Sequence, residues 1–231
     1  MNYKSALIVG AGAGLSASLA RAFTKAGMSV ALAARSVDKL NGLAKETGAK
    51  AYACDATNRA QVEKLFANMM EAGPGAPDVV VYNASYRTRG SFTDLDPAEV
   101  EKAIQVTAFG GFLVAQAAAR HMLPRSHGAI LFTGASASVK GYAQSAPFAM
   151  AKFALRGLAQ SMARELSPQG IHVAHFVIDG GIKSVRRAVP PDNPDSLLDP
   201  DAIAASYLHV LAQPRNAWTQ ELELRPWVEK F

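Results

Sequence analysis

Three glycines at alternate positions, in Gly10-Ala11-Gly12-Ala13-Gly14-Leu15-Ser16, stand where an apolar run ends and a helical pattern begins. Glycines at such a junction let the backbone turn tightly and approach a ligand, and the free N–H groups of the helix start attract phosphate. Gly12-x-Gly14-x-x-Ala17 matches the dinucleotide fingerprint. A pyrophosphate is therefore the expected ligand, and a plain tight turn is the alternative. The second apolar run ends in Arg35-Ser36. An acidic residue there would hold a ribose 2′-hydroxyl, whereas Arg35 would pair with a 2′-phosphate through its guanidinium fork. NADP(H) is thus preferred and NAD(H) possible. An ordinary solvated arginine is the competing reading.

These residues need a frame. Short apolar runs and helical patterns alternate along the 231 residues. Strands are expected at Ala6–Val9, Ser29–Ala34, Ala49–Cys54, Asp78–Tyr82, Gly128–Thr133, Ile171–Ile178 and Gln220–Leu224. Helices are expected at Leu15–Ala26, Val37–Thr47 and Arg59–Ala72, at about Ala146–Leu166, from Asp96-Pro97 to about Met122, and from Asp199-Pro200 to about Leu211. The two Asp-Pro pairs read as an N-cap followed by proline at the first helical position. Alternation of this kind predicts an α/β, Rossmann-type doubly wound fold. Its sheet is mainly parallel and seven-stranded, helices cover both faces, and residues 1–231 form one domain. Ligands bind beyond the carboxyl ends of such strands, where Gly10, Arg35, Asp55, Asn83, Ser136 and Asp179 fall. The proline-rich stretch within about 184–200 is expected to be a substrate lid.

Composition excludes several classes. Hydrophobic residues make up 49% and charged residues 19%, so the chain is globular rather than disordered. The net charge of +5 is scattered, with no basic run or aromatic platform, so nucleic acid is not an expected partner. No apolar run is long enough to span a bilayer. The opening stretch fits strand-turn-helix better than a signal peptide. The single cysteine, Cys54, allows no internal disulfide, and the five histidines show no ligand spacing, so no metal site is expected. A cytoplasmic location follows as an expectation. His172 and His175 read as structural. The aromatic C-terminus, from Trp218 through Trp227 to Phe231, reads as packing or a subunit contact of a homodimer or homotetramer.

Further motifs carry a family resemblance over nearly the whole chain. Gly10-x-x-x-Gly14-x-Ser16, Cys54-Asp55-Ala56-Thr57, Tyr82-Asn83-Ala84-Ser85, the segment Ala151–Leu158, and Gly180 with Ser184 together resemble the short-chain dehydrogenases. The resemblance implies that Gly10, Gly12, Gly14, Leu15, Arg35, Asp55, Ala56, Asn83, Ala84, Lys152, Asp179 and Gly180 bind the cofactor. It also implies an active site of Tyr-x-x-x-Lys, a serine about thirteen residues earlier and an asparagine in the long helix. Here those positions read Phe148-Ala149-Met150-Ala151-Lys152, Ala135 and Thr107. Phenylalanine cannot donate or accept a proton, and losing a positioned acid or base typically costs ~10²–10⁴-fold in rate. Lys152 alone remains. Tyr142, Ser136 and Asp179 are the candidate replacements, with Tyr86 behind them. Each also has a bland reading: a pocket wall for Tyr142, a turn or cap for Asp179.

The expected function is an atypical NADP(H)-dependent oxidoreductase that passes hydride to a small or medium organic substrate. An imine, an activated double bond or a carbonyl would serve. A catalytically inactive NADP(H)-binding or regulatory protein is the alternative, and a lyase or isomerase using the cofactor structurally is a third.

Overall fold

Seven runs become seven parallel strands, and the central ones, rich in Val, Ile, Leu and Ala, are buried on both faces, which a sheet covered by helices requires. The computed structural model describes residues 3–72, 75–185 and 187–229; Phe231 of the C-terminal aromatic stretch lies outside the described residues. The strands are β1 (Ser5–Val9), β2 (Ser29–Ala34), β3 (Lys50–Ala53), β4 (Val79–Tyr82), β5 (Gly128–Thr133), β6 (Ile171–Ile178) and β7 (Glu221–Leu224). They pair in the order β3-β2-β1-β4-β5-β6-β7, all parallel. Every residue of β1, β4, β5 and β6 is buried. The doubly wound seven-stranded sheet expected from the alternation is therefore the observed one. The strand order reverses between β1 and β4, and a crevice opens beyond their carboxyl ends.

The helices are α1 (Leu15–Lys25), α2 (Asn41–Thr47), α3 (Arg59–Ala72), α4 (Pro97–Ile104), α5 (Gly110–Met122), α6 (Ala146–Leu166) and α7 (Pro200–Ala212). One core joins α3, α5 and α6 to the sheet through Val62, Leu65, Phe66, Val114, Ala118 and Leu155. The other joins α1 and α7 to the opposite face through Leu19, Phe23, Ile203, Tyr207 and Val210. A Leu or Phe so buried contributes roughly 1.5–3 kcal/mol. Both Asp-Pro signals act as caps: Asp96 accepts from the Ala98 N–H at 2.9 Å and Asp199 from the Asp201 N–H at 2.7 Å. Cys54 is buried just past β3, and burial, helped by Asp55, pushes its thiol up to about 11.

Two helices differ from expectation. The segment Val37–Thr47 is not one helix; a 3-10 turn, Asp38–Leu40, precedes α2. The arm expected to run unbroken from Asp96 to Met122 contains a π turn at Gln105–Phe109. The cause lies on β4. The Tyr82 hydroxyl donates to the Val106 carbonyl inside this turn, and such a side-chain intrusion widens a helix locally. Gly110 leaves room for it, because a Cβ there would lie 2.5 Å from the Tyr82 oxygen.

Replacing Tyr82 with phenylalanine leaves that carbonyl unpaired. The expected loss is about 1–3 kcal/mol, read as a lower urea midpoint with unchanged slope.

Candidate active site

The glycine loop between β1 and α1 is held open. Gly10 has φ of +81°, and a Cβ on it would lie 2.4 Å from the Ala84 nitrogen, so only glycine fits. Gly12 and Gly14 face open space. Helix α1 begins without a side-chain cap and without an acidic residue in its first turn. Its first N–H groups are thus available to an anion. Ser16 is buried; its hydroxyl donates to the Gly10 carbonyl at 3.2 Å and accepts from the Asn83 amide at 2.7 Å. The residue that departs from the glycine motif therefore ties the loop to the end of β4.

A cavity of about 820 Å³ begins at Gly14 and Leu15 and runs past Asn83, Ser136, Tyr142, Phe148, Lys152 and Gly180. A second, of about 300 Å³, is lined by Arg35, Asp55, Thr57 and Lys102, among others. Asp55 is fixed there by the Thr57 N–H and hydroxyl at 2.9 and 2.8 Å, while its own N–H donates to Gln61 at 2.8 Å. Ala56 is buried behind it, with its carbonyl against Gly110. Arg35 is exposed and makes no ion pair among the described residues.

Lys152, on α6, is only 3% exposed and donates to the Thr133 carbonyl at 2.7 Å. The Thr133 hydroxyl in turn meets Tyr207 at 2.9 Å. Burial lowers the lysine ammonium to about 8. One turn before it, the Phe148 ring forms part of the cavity wall, its centroid 5.8 Å from the lysine nitrogen. Arg87 sits over the same ring at 5.0 Å.

The other expected residues fall into two groups. Ser136 begins a 3-10 turn after β5, near enough to the Asp179 carboxylate to favour its charge. Asp179 neither caps a helix nor faces the cavity. It is a buried carboxylate held by Lys140 at 3.2 Å and Arg225 at 2.9 Å. Burial opposes its charge, but Ser136, Lys140 and Arg225 outweigh that and hold it below the usual carboxylate range. Lys140 also lies near Tyr142, which is half-exposed in the cavity wall. Tyr142, Lys140, Asp179 and Ser136 thus form one polar chain around the Lys140–Asp179 ion pair. Lys140 carries no motif, and only this geometry singles it out.

Tyr86 is occupied elsewhere: its hydroxyl bonds Glu99 and accepts from Lys102 at 3.2 Å. Thr107 is fully buried and accepts from the Tyr86 N–H at 3.1 Å. Ala135 has no polar side chain; its N–H donates to the Ser138 hydroxyl at 3.1 Å and its carbonyl accepts from the Ser138 N–H at 2.7 Å. No group of three or more His, Cys, Asp or Glu is placed to hold a metal among the described residues. No helix is long and apolar enough to cross a membrane among the described residues.

His172 bonds the Thr219 carbonyl at 2.9 Å and stacks on Trp218. His175 meets Glu221 at 3.1 Å, and Arg156 clamps the same carboxylate through two bonds of 2.7 Å. Burial drives His175 down to about 4, against the opposing pull of Glu221.

Stability should therefore fall as pH drops from about 6.5 to about 4. Over that window the unfolded chain binds a proton that native His175 refuses, and the cost reaches about 3 kcal/mol. Burial lowers His172 in the same sense. Urea titrations at several pH values would read the slope, and His175→Gln should flatten it.

The sheet order, the glycine loop and the lysine-bearing helix define a dinucleotide-fold dehydrogenase. The family description for short chain dehydrogenases matches residues 4–188, and the chain belongs to that family. It is 27% identical over 226 residues, 96% of this chain and 97% of the other, to an uncharacterized oxidoreductase of Staphylococcus aureus (strain N315). A short-chain dehydrogenase from Rhodopseudomonas palustris superposes with a TM-score of 0.83 at 34% identity, covering 97% of this chain and 99% of that one. A metagenomic short-chain oxidoreductase in complex with NADP gives 0.84 at 27% identity, covering 97% and 98%.

Proposed function

We propose that the protein is an NADP(H)-dependent oxidoreductase that reduces a small or medium organic substrate without a tyrosine at position 148. The observation that carries this reading is one cavity joining the uncapped start of α1 to buried Lys152, with Phe148 in the wall between Lys152 and Arg87. In the plain sense of the family pattern, Phe148 stands where the active-site tyrosine is usual, which makes the chain atypical.

The residues present fit the cofactor. Gly10, Gly12, Gly14 and Leu15 would hold the pyrophosphate: Gly10 makes the tight turn against Ala84, while Gly12, Gly14 and the uncapped start of α1 leave open space and free N–H groups. Arg35 would hold the 2′-phosphate, and Asp55 and Ala56 the adenine side. Asn83, Ala84, Lys152, Asp179 and Gly180 would frame the nicotinamide end, Asp179 from below through its ion pairs. The relative solved with NADP supports this assignment. Bound there, the nicotinamide supplies the hydride.

The chain's own residues must supply the proton where the substrate does not bring it. Tyr142 is the best placed: it lines the cavity, and Lys140 beside it would stabilise the charge that donation leaves behind. Asp179 positions Lys140, and Ser136 completes the chain. A protonated imine or activated double bond needs less of this help than a ketone.

The test is NADPH binding by calorimetry, followed by NADPH turnover over ketones, imines and enones. Tyr142→Phe should lower kcat by ~10²-fold or more and leave NADPH affinity unchanged. Binding without turnover on any substrate would instead favour a non-catalytic cofactor-binding or regulatory protein, the reading that Phe148, Ala135 and Thr107 support. The segment 184–200 serves as the substrate lid. It is anchored at its base by the Lys183 and Leu198 N–H groups, and Trp227 bonds Asp195 at 2.9 Å. Exposed Phe109, Phe112, Met150 and Phe153 on the α4–α5 arm and on α6 support a homodimer or homotetramer. A cytoplasmic location completes the proposal.

A further inference from the structure

The main cavity is lined by five cationic side chains and no carboxylate among the described residues: Arg87, Arg89, Lys152, Lys183 and Arg187. Several cations elsewhere on the molecule are paired, as Arg21 is with Glu46, Arg125 with Asp78 and Arg156 with Glu221. Arg87, Arg89, Arg187 and Lys183 make no ion pair among the described residues.

Three of them converge from two different segments. Arg87 and Arg89 follow β4, and Arg87 is pinned over the Phe148 ring at 5.0 Å. Arg187 comes from the segment after β6, where the Ser184 and Arg187 backbones exchange two bonds of 3.0 Å each. Its guanidinium folds back over Gly181, where a Cβ would lie 2.7 Å from it. Burial, then the charges of Arg89 and Arg187, weakens the hold of Arg87 on its own proton. Like charges gathered in a partly enclosed space repel one another, and an anion between them relieves that repulsion. Arg35 lines a separate cavity, and the uncapped N–H groups at the start of α1 await the pyrophosphate, so the cofactor's phosphates have partners of their own.

We propose that the substrate carries an oxyanion, a carboxylate or phosphate, that Arg87, Arg89 and Arg187 bind beside Phe148. This deepens the reductase reading and rests on it. A planar guanidinium pairs with either group through two parallel bonds, so the cluster fixes which end of the substrate faces the lid and which faces Lys152.

The test uses matched probes on the full chain: pyruvate against ethyl pyruvate, and dihydroxyacetone phosphate against dihydroxyacetone. Binding is read by calorimetry with NADP⁺ present, and turnover is read separately with NADPH. Each anion should bind at least tenfold more tightly than its neutral partner. Arg87→Gln and Arg187→Gln should each weaken the anion by roughly 10- to 100-fold and leave the neutral probe unchanged. Whichever anion is stronger separates a carboxylate from a phosphate ligand. Equal binding of charged and neutral probes would overturn the proposal. So would variants that weaken NADP⁺ but not the anion, because the cluster would then serve the cofactor. Selective anion binding without turnover would uphold the anion site while counting against the reductase reading.

Discussion

Phe148→Tyr should raise carbonyl reduction by roughly 10²- to 10⁴-fold, the usual worth of a positioned acid–base group. The ring already lines the cavity, and its centroid is 5.8 Å from the Lys152 nitrogen. A hydroxyl on it would point into the space between that ammonium and the substrate. The wall is only partly buried there, so one added oxygen meets little overpacking. Burial brings Lys152 to about 8, so it is still largely charged at pH 7 and can stabilise a phenolate. Ala135 supplies no side-chain donor, and Ala135→Ser in the same chain should add a further gain. Steady-state rates on a ketone panel, with NADPH affinity measured alongside, would show it. No gain from either the single or the double variant would mean that position 148 is not the vacated proton site.

Arg35→Asp should weaken NADPH by at least tenfold and NADH far less, which reverses the cofactor preference. The change removes a charge-assisted pair, worth about 1.5–3 kcal/mol, and adds repulsion between the new carboxylate and a 2′-phosphate. Arg35 shares its small cavity with Asp55, Thr57 and Lys102, and Lys102 is already committed to Glu99 at 3.2 Å. Arg35 is therefore the cation available there to a phosphate. Calorimetric affinities for both cofactors decide the matter: equal losses for the two would deny Arg35 any part in phosphate recognition.

Local signals explain how much of this could be read in advance. Strands β5 and β6 and helix α6 fall where their patterns place them, because glycine or proline punctuates them nearby: Gly128 and Gly170 at positive φ, Pro147 in the first turn of α6. The glycine loop was legible because its conformation and its chemistry have the same cause. The π turn was not, because it depends on a hydroxyl 24 residues away on β4. Asp179 was visible as a polar residue at a strand end, but its partners Lys140 and Arg225 come from distant loops. Arg87, Arg89 and Arg187 looked like scattered surface charge for the same reason. Separation along the chain hides a cluster that folding assembles. One signal was present in the sequence: two arginines, two residues apart, immediately after a ligand-side strand end.

The wide turn at Gln105–Phe109 has an evolutionary side. A turn with one residue more than α-helical spacing requires absorbs that residue on the spot, so the stretches before and after it keep their original facing. The longest helical arm of the molecule thus has one place where its length can change by a single residue without rotating everything downstream. Drift in chain length can be tolerated there, around Thr107, while Leu113, Val114 and Ala118 stay turned toward the sheet.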